Sequence, residues 1–176
     1  MSVVGSRTKG RPRVSHGTEH GVTMVEVLVA LVVMSVGMLG IAGLYVASVK
    51  SNRSALLRTQ AVNFVNDMSD RIRANGSARA AYDLASYGGT PAARSCTSTV
   101  CTSAQLAEDD LQRWIAGITS PIGGLPGAGV AGNVVYTAAA SGGFPDRYTI
   151  SVQWREAGDT ADSTYTTNLL LIPVTP

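Results

Sequence analysis

Apolar and polar positions divide the first 75 residues into three stretches. Residues 1–21 are polar, rich in glycine and basic. An uncharged apolar run of 23 residues then extends from Val27 to Val49, and a membrane-spanning helix needs about 20 predominantly apolar residues. Beyond this run, apolar side chains recur at spacings of three and four, as is typical of an amphipathic helix: Leu57, Ala61, Phe64, Val65, Met68 and Ile72. The pattern therefore predicts one N-terminal helix with a membrane-spanning half, 22–49, and an amphipathic half, 50–75.

Residues 76–176 begin with a loop-rich stretch and then show a second helical pattern. A capping box, Thr102-Ser103-Ala104-Gln105, predicts where this helix begins. Five apolar residues at helical spacing follow it: Ala107, Leu111, Trp114, Ile115 and Ile118. Asp109 and Asp110 do not suggest a catalytic pair, because adjacent helical residues do not face one another. We expect them to be solvated, or favoured by the helix dipole.

After the second helix the apolar period changes to two. Tyr148 to Arg155 alternate strictly and predict a half-buried strand, residues 165–172 predict another, and 134–138 a weaker third. Short connections imply antiparallel pairing. The inner face of the sheet is expected to pack on the amphipathic half of the first helix, because each supplies the apolar surface that the other lacks. The predicted fold class is α+β, and 76–176 is the predicted globular domain.

One carboxylate, Glu26, stands at the start of the apolar run. On insertion scales, an acidic or basic side chain near the centre of a membrane helix costs roughly 2.5–3.5 kcal/mol. Position alone leaves two interpretations of Glu26. It either has a function within the membrane, or it marks the edge of the helix, where headgroups and water solvate it.

The segment Gly21-Val22-Thr23-Met24-Val25-Glu26 resembles the class III signal of type IV prepilins, which joins a short basic leader ending in glycine to an apolar helix with Glu at this offset. The resemblance implies that prepilin peptidase cuts between Gly21 and Val22 and that the new Val22 amine is N-methylated. Valine stands where phenylalanine is usual. Cleavage after the apolar run by a conventional signal peptidase is the alternative, but cleaved signals have apolar regions of only about 7–15 residues.

Charge is distributed unevenly between the leader and the remaining chain. The leader holds four bases against one acid, whereas the other 155 residues hold 10 Lys and Arg against 11 Asp and Glu. A nearly neutral mature chain argues against nucleic acid as the main partner. The basic leader favours a cytoplasmic N-terminus, although Lys50, Arg53 and Arg58 on the far side of the apolar run weaken that preference.

The chain has two cysteines, Cys96 and Cys101. A single C-x4-C pair is not a zinc signature, since tetrahedral zinc needs four ligands and both histidines, His16 and His20, lie in the leader. In an exported domain we expect a short-loop disulfide, worth about 2 kcal/mol; two unpaired thiols are the alternative. We find no cofactor motif and no convergent acid, base and nucleophile, so no enzymatic activity is expected.

Four later blocks resemble the PilV-type minor pilins, the type IV pilus modification proteins, in the same order along the chain. The blocks are Cys96-(x4)-Cys101; Ala104-Gln105-Leu106-Ala107 to Asp110-Leu111 and Trp114; Leu125-Pro126-Gly127-(x)-Gly129; and Val152-(x)-Trp154-Arg155-Glu156. The resemblance implies the type IV pilin fold, a long N-terminal helix packed on a C-terminal antiparallel sheet.

This resemblance also implies a life cycle and a set of partners. The prepilin would wait in the bacterial inner membrane as a single-pass protein with its C-terminal domain in the periplasm. It would then join other minor and major pilins in a complex that primes assembly. The resemblance leaves open whether the subunit lies at the pilus tip or along the fibre. Prepilin peptidase, the inner-membrane platform protein, the assembly ATPase and a tip adhesin are the implied partners. Glu26 would meet the terminal amine of a neighbouring subunit.

Three alternatives to this hypothesis remain open, and the first of them belongs to the same class of protein. A pseudopilin of a type II secretion system would share the N-terminal signal. A membrane-anchored enzyme is opposed by the lack of histidine in the mature chain. A DNA-binding pilin would depend on basic side chains that we expect to be solvated: Arg71, Arg73, Arg79 and Arg94.

Overall fold

The computed structural model describes residues 21–87, 89–140 and 145–172, so the predicted leader lies outside the described residues except for Gly21. The chain divides after Ala47 into two compact units. The elements are helix α1 (Met24–Ala74), two 3₁₀ helices (Gly76–Tyr82 and Leu84–Tyr87), helix α2 (Ser103–Thr119) and strands β1 (Ala131–Thr137), β2 (Asp146–Trp154) and β3 (Ser163–Leu171). The strands form one antiparallel sheet in the order β1-β2-β3. The predicted α+β pilin architecture is confirmed.

The second part of α1 buries the stripe that its periodicity predicts. Ala61, Val65, Met68 and Ile72 are fully buried and belong to one core with α2 and the sheet. Leu57 and Phe64 pack at its margin. Four buried positions at spacings of four, three and four lie on one face of a helix. This stripe is therefore the surface by which α1 joins the globular unit.

Helix α2 begins at the predicted capping box. Thr102 Oγ1 accepts a hydrogen bond from the Gln105 amide at 3.3 Å, and Gln105 Oε1 accepts one from the Thr102 amide at 2.9 Å. The apolar face of α2 enters the core, and the indole Nε1 of Trp114 donates to the Phe64 carbonyl oxygen at 2.7 Å. This bond joins α2 to α1 within the core.

The expectation that Asp109 and Asp110 are solvated or favoured by the helix dipole is wrong, because neither lies in the first turn of α2 and neither is exposed. Asp109 is only 3 % exposed and pairs with Arg113 at 2.8 Å, while half-buried Asp110 pairs with Arg71 at 2.9 Å. Burial of a carboxylate becomes tolerable when it is paired. Arg71 reaches Asp110 from another helix, and Arg113 reaches Asp109 from the next turn of α2. The apolar pattern of α2 does not indicate either partner.

Strand β2 is the centre of the sheet and alternates as predicted. Five of its residues are buried at every second position: Asp146, Tyr148, Ile150, Val152 and Trp154. The predicted loop between α1 and α2 contains the two 3₁₀ helices, anchored by buried Tyr82 and Leu84. Such helices are short and lack a long amphipathic period, which is why the sequence pattern misses them.

The two cysteines are joined by a disulfide in the loop before α2, with 5.6 Å between the Cα atoms of Cys96 and Cys101. On the N-terminal side of the disulfide, the same loop contacts α2 through Arg94. The Arg94 amide donates to Gln112 Oε1 at 3.2 Å, and its guanidinium pairs with Glu108. The disulfide therefore closes a small loop whose base rests on α2.

Strand β1 approaches α2 so closely that one position admits only glycine. A Cβ on Gly132 would lie 2.8 Å from Trp114 Cη2 and 2.9 Å from Ile118 Cδ1. Both side chains are buried, so neither has free space to move into. Gly132 thus sets the spacing between the sheet and α2.

We predict that Gly132→Ala lowers the free energy of unfolding by about 1–3 kcal/mol, the usual cost of overpacking a core. Gly117→Ala is the matched control. Its Cβ would lie 3.6 Å from Phe64 Cε1, an ordinary contact, and alanine is about 1 kcal/mol better than glycine inside a helix. Urea unfolding of the two variants should give shifts of opposite sign. Equal stability of Gly132→Ala and the parent would contradict the packing argument.

We predict that replacing both Cys96 and Cys101 by serine lowers the free energy of unfolding by about 2 kcal/mol, because a short loop is no longer closed in the unfolded chain. Thr97→Ser, at an exposed position in the same loop, is the control and should leave stability unchanged. Alkylation of the denatured, unreduced parent should detect no free thiol. Two modified cysteines in that sample would refute the pairing.

Candidate functional site

The candidate processing and assembly site is the start of α1. Gly21, Val22 and Thr23 precede the helix, and Thr23 is its N-cap: its side-chain oxygen accepts from the Glu26 amide at 3.3 Å, and its carbonyl accepts from the Glu26 and Val27 amides. Threonine is a favoured residue at this position, where the first amides have no partner within the helix. The residues on either side of the predicted cleavage point thus lie outside the helix and are solvent-exposed.

Glu26 occupies the first turn of α1, where the helix dipole favours a negative charge. Its backbone amide bonds to Thr23, whereas its carboxylate has no hydrogen bond or ion pair with any residue in 21–87, 89–140 or 145–172. The carboxylate is therefore not required for capping by Thr23. Any partner of this carboxylate therefore comes from outside the described residues.

The first part of α1 exposes all of its large apolar side chains. Between Val22 and Val46 their exposed fractions run from 49 % at Val27 to 87 % at Met24. By length and composition this segment can span a membrane. A soluble monomer rarely exposes an apolar patch of more than a few hundred Å², so this surface is suited to contact with lipid or with other helices.

The four arginines proposed as a DNA-binding set are each paired with carboxylates. Arg71 contacts Asp67 and Asp110, Arg73 contacts Asp70, Arg79 contacts Asp146 and Arg94 contacts Glu108. The Arg79 guanidinium, which donates two hydrogen bonds to Asp146, holds the pKa of that carboxyl below its ordinary value. These pairings neutralise the charges that a phosphate backbone would need.

A polar network joins the end of α1 to the first 3₁₀ helix and α2. Tyr82 donates its hydroxyl proton to Asp110 Oδ2 at 2.7 Å, and Asp110 Oδ1 accepts from Arg71. Asn75 bridges Tyr82 and the Ser103 carbonyl. Burial and the neighbouring Asp110 raise the pKa of Tyr82, which keeps its hydroxyl a donor. The network fixes the path of the backbone after the end of α1.

Two of the blocks that carry the PilV-type resemblance, those around Pro126 and Arg155, contact each other in the fold. The Arg155 amide donates to the Pro126 carbonyl at 3.3 Å, and the Leu125 amide donates to the Ile118 carbonyl at 2.9 Å. Gly127 has a φ of 109° and passes so close to the Arg155 carbonyl that a side chain would collide with it. Sequence order alone could not reveal these contacts.

Two protein-family models match parts of the chain. Residues 43–112 match the model described as type IV pilin Tt1218, and residues 17–42 match the prokaryotic N-terminal methylation motif. No curated protein and no solved structure matches the chain significantly. The methylation motif covers Gly21, Val22 and Glu26, and the pilin match extends from within α1 into α2. The chain therefore carries a type IV pilin domain preceded by a prokaryotic N-terminal methylation motif.

Proposed function

We propose that this pilin is a PilV-type minor pilin, a structural subunit that helps to prime type IV pilus assembly. The observation that carries the proposal is the joining of an N-terminal methylation motif to a helix whose first part exposes all of its large apolar side chains. The order of the four later blocks supports the PilV type over a pseudopilin of a type II secretion system. The role is assembly, without catalysis.

The proposed organisation follows the changes in polarity along the chain. Residues 1–21 form the leader that prepilin peptidase removes on the cytoplasmic side. Residues 22–49 lie in the inner membrane, 50–75 form the amphipathic half of the helix, and 76–176 form the periplasmic domain. Apolar surface left uncovered by the domain is transferred from lipid to neighbouring pilin helices when the subunit enters the fibre. The platform protein and the assembly ATPase drive that transfer, and a tip adhesin is a further partner.

Glu26 is proposed to guide docking between subunits. Cleavage creates a cation, the Val22 amine, at the start of an apolar helix, and an unpaired charge is costly once helices pack together without water. The Glu26 carboxylate has no partner among the described residues and can pair with the amine of a neighbour. Pairing of the two charges within one subunit is the simpler alternative.

We predict that the mature protein begins at Val22. Intact-mass measurement of the protein from membranes or pili should give 155 residues plus one methyl group, because the peptidase cuts after Gly21 and the new amine is methylated. Inactivating the prepilin peptidase should restore the full-length mass. A mature terminus after residue 40 would instead indicate a conventional signal peptidase and would contradict the pilin proposal.

We predict that Glu26→Leu is inserted and cleaved normally but remains in the inner membrane and is lost from sheared pili. The leader, Gly21 and the apolar run are intact in this variant, and Thr23 still caps the helix, so only the docking charge is removed. Immunoblots of membrane and pilus fractions measure the distribution. Glu26→Gln should behave like Glu26→Leu if charge is the requirement, and Val25→Leu is the control that should assemble. Normal incorporation of Glu26→Leu would show that docking does not need the carboxylate.

A further inference from the structure

A cleft of about 250 Å³ lies beside the second half of α1, wholly within the unit that begins at Ser48. Ser54 and Arg58 of α1 form one wall. The other wall is formed by Trp154, the last residue of β2, by Glu156 just beyond it and by the first residues of β3. Pockets for drug-sized ligands occupy about 300–1,000 Å³. This smaller volume suits one ring-sized ligand.

Two opposite charges line the cleft without neutralising one another. Arg58 has no ion pair or hydrogen bond with any residue that the structure describes, in contrast to Arg71 and Arg79. Among the described residues, the Glu156 carboxylate accepts one hydrogen bond, from the Ser54 hydroxyl to Oε1 at 2.9 Å. A ligand between the two walls can therefore donate to Glu156 and accept from Arg58 at the same time.

The remaining lining is aromatic and hydroxylated. Trp154 is 4 % exposed, and its indole Nε1 is buried without a partner among the described residues, although buried indole N–H groups usually have one. Tyr165 is half-buried beside it, and Ser163 and Thr164 supply hydroxyl groups. The partly exposed ring of Tyr165, next to several donors and acceptors, suits a ligand that has both an apolar face and a polar rim.

We propose that this cleft binds one neutral pyranose ring of a glycan. Neighbouring ring hydroxyls both donate and accept, so a pair of them can bridge Glu156 and Arg58, while the C–H face of the sugar ring packs against the half-buried ring of Tyr165. Arg58 and Glu156 sum to zero formal charge, which disfavours an ionic ligand relative to a polyhydroxyl one. The site lies outside the assembly features of α1, so the proposal does not depend on the function proposed above.

The test is saturation-transfer NMR on the full-length chain, held in the non-glycosidic detergent lauryldimethylamine oxide so that no sugar headgroup competes. The probes are the methyl glycosides of glucose, galactose, mannose and N-acetylglucosamine. We expect at least one to receive saturation from the protein. Arg58→Met and Glu156→Gln should each weaken its binding at least tenfold, because each removes one end of the hydroxyl bridge.

Arg53→Met is the matched control, since Arg53 is an exposed arginine of the same helix that does not line the cleft. It should bind the probe as the parent does, and circular dichroism should report the same fold for all three variants. No transfer to any glycoside would overturn the proposal. So would transfer that both cleft variants leave unchanged, or binding of acetate in place of the glycosides, which would make the ligand a carboxylate.

Discussion

Burial of one stripe of α1 is the interaction on which the globular unit depends. Val65, Met68 and Ile72 are fully buried, and burying a large apolar side chain contributes about 1.5–3 kcal/mol. A three-stranded sheet has one apolar face and needs an element to cover it. The residues of β2 and of α2 share their core with this stripe. Helix α1 is therefore part of the domain as well as the predicted anchor.

Apolar burial has no direction, so polar contacts must fix how the elements are oriented. Trp114 bonds to the Phe64 carbonyl, Asp110 holds Arg71, and Asp146 holds Arg79. Arg79 has a φ of 44°, a backbone conformation that costs about 1–3 kcal/mol in a non-glycine residue. Its two hydrogen bonds to buried Asp146 hold the chain there. The first 3₁₀ helix is thereby fixed to the start of β2.

The sequence could predict those features that depend on a repeating pattern among residues close together in the chain. The stripe of α1, the capping box of α2 and the alternation of β2 each depend on residues a few positions apart. Asp110 and Arg71 are 39 positions apart, and Ser54 and Glu156 are 102 apart. No periodicity encodes such pairs, and Asp109 and Asp110 were therefore wrongly expected in solvent. The cleft beside Trp154 was missed for the same reason, because its walls come from distant parts of the chain.

At the start of α1, helix formation and the proposed docking role depend on different side chains. Thr23 supplies the side-chain cap, so the helix begins there without the Glu26 carboxylate. That carboxylate becomes costly only when the surrounding surface enters lipid or a fibre, where an uncompensated charge costs several kcal/mol. Cleavage after Gly21 would create the compensating cation, which the uncleaved chain lacks. Under the proposed function, processing must therefore precede assembly. A neighbouring subunit can pair its terminal amine with Glu26 only after the leader of that neighbour has been removed.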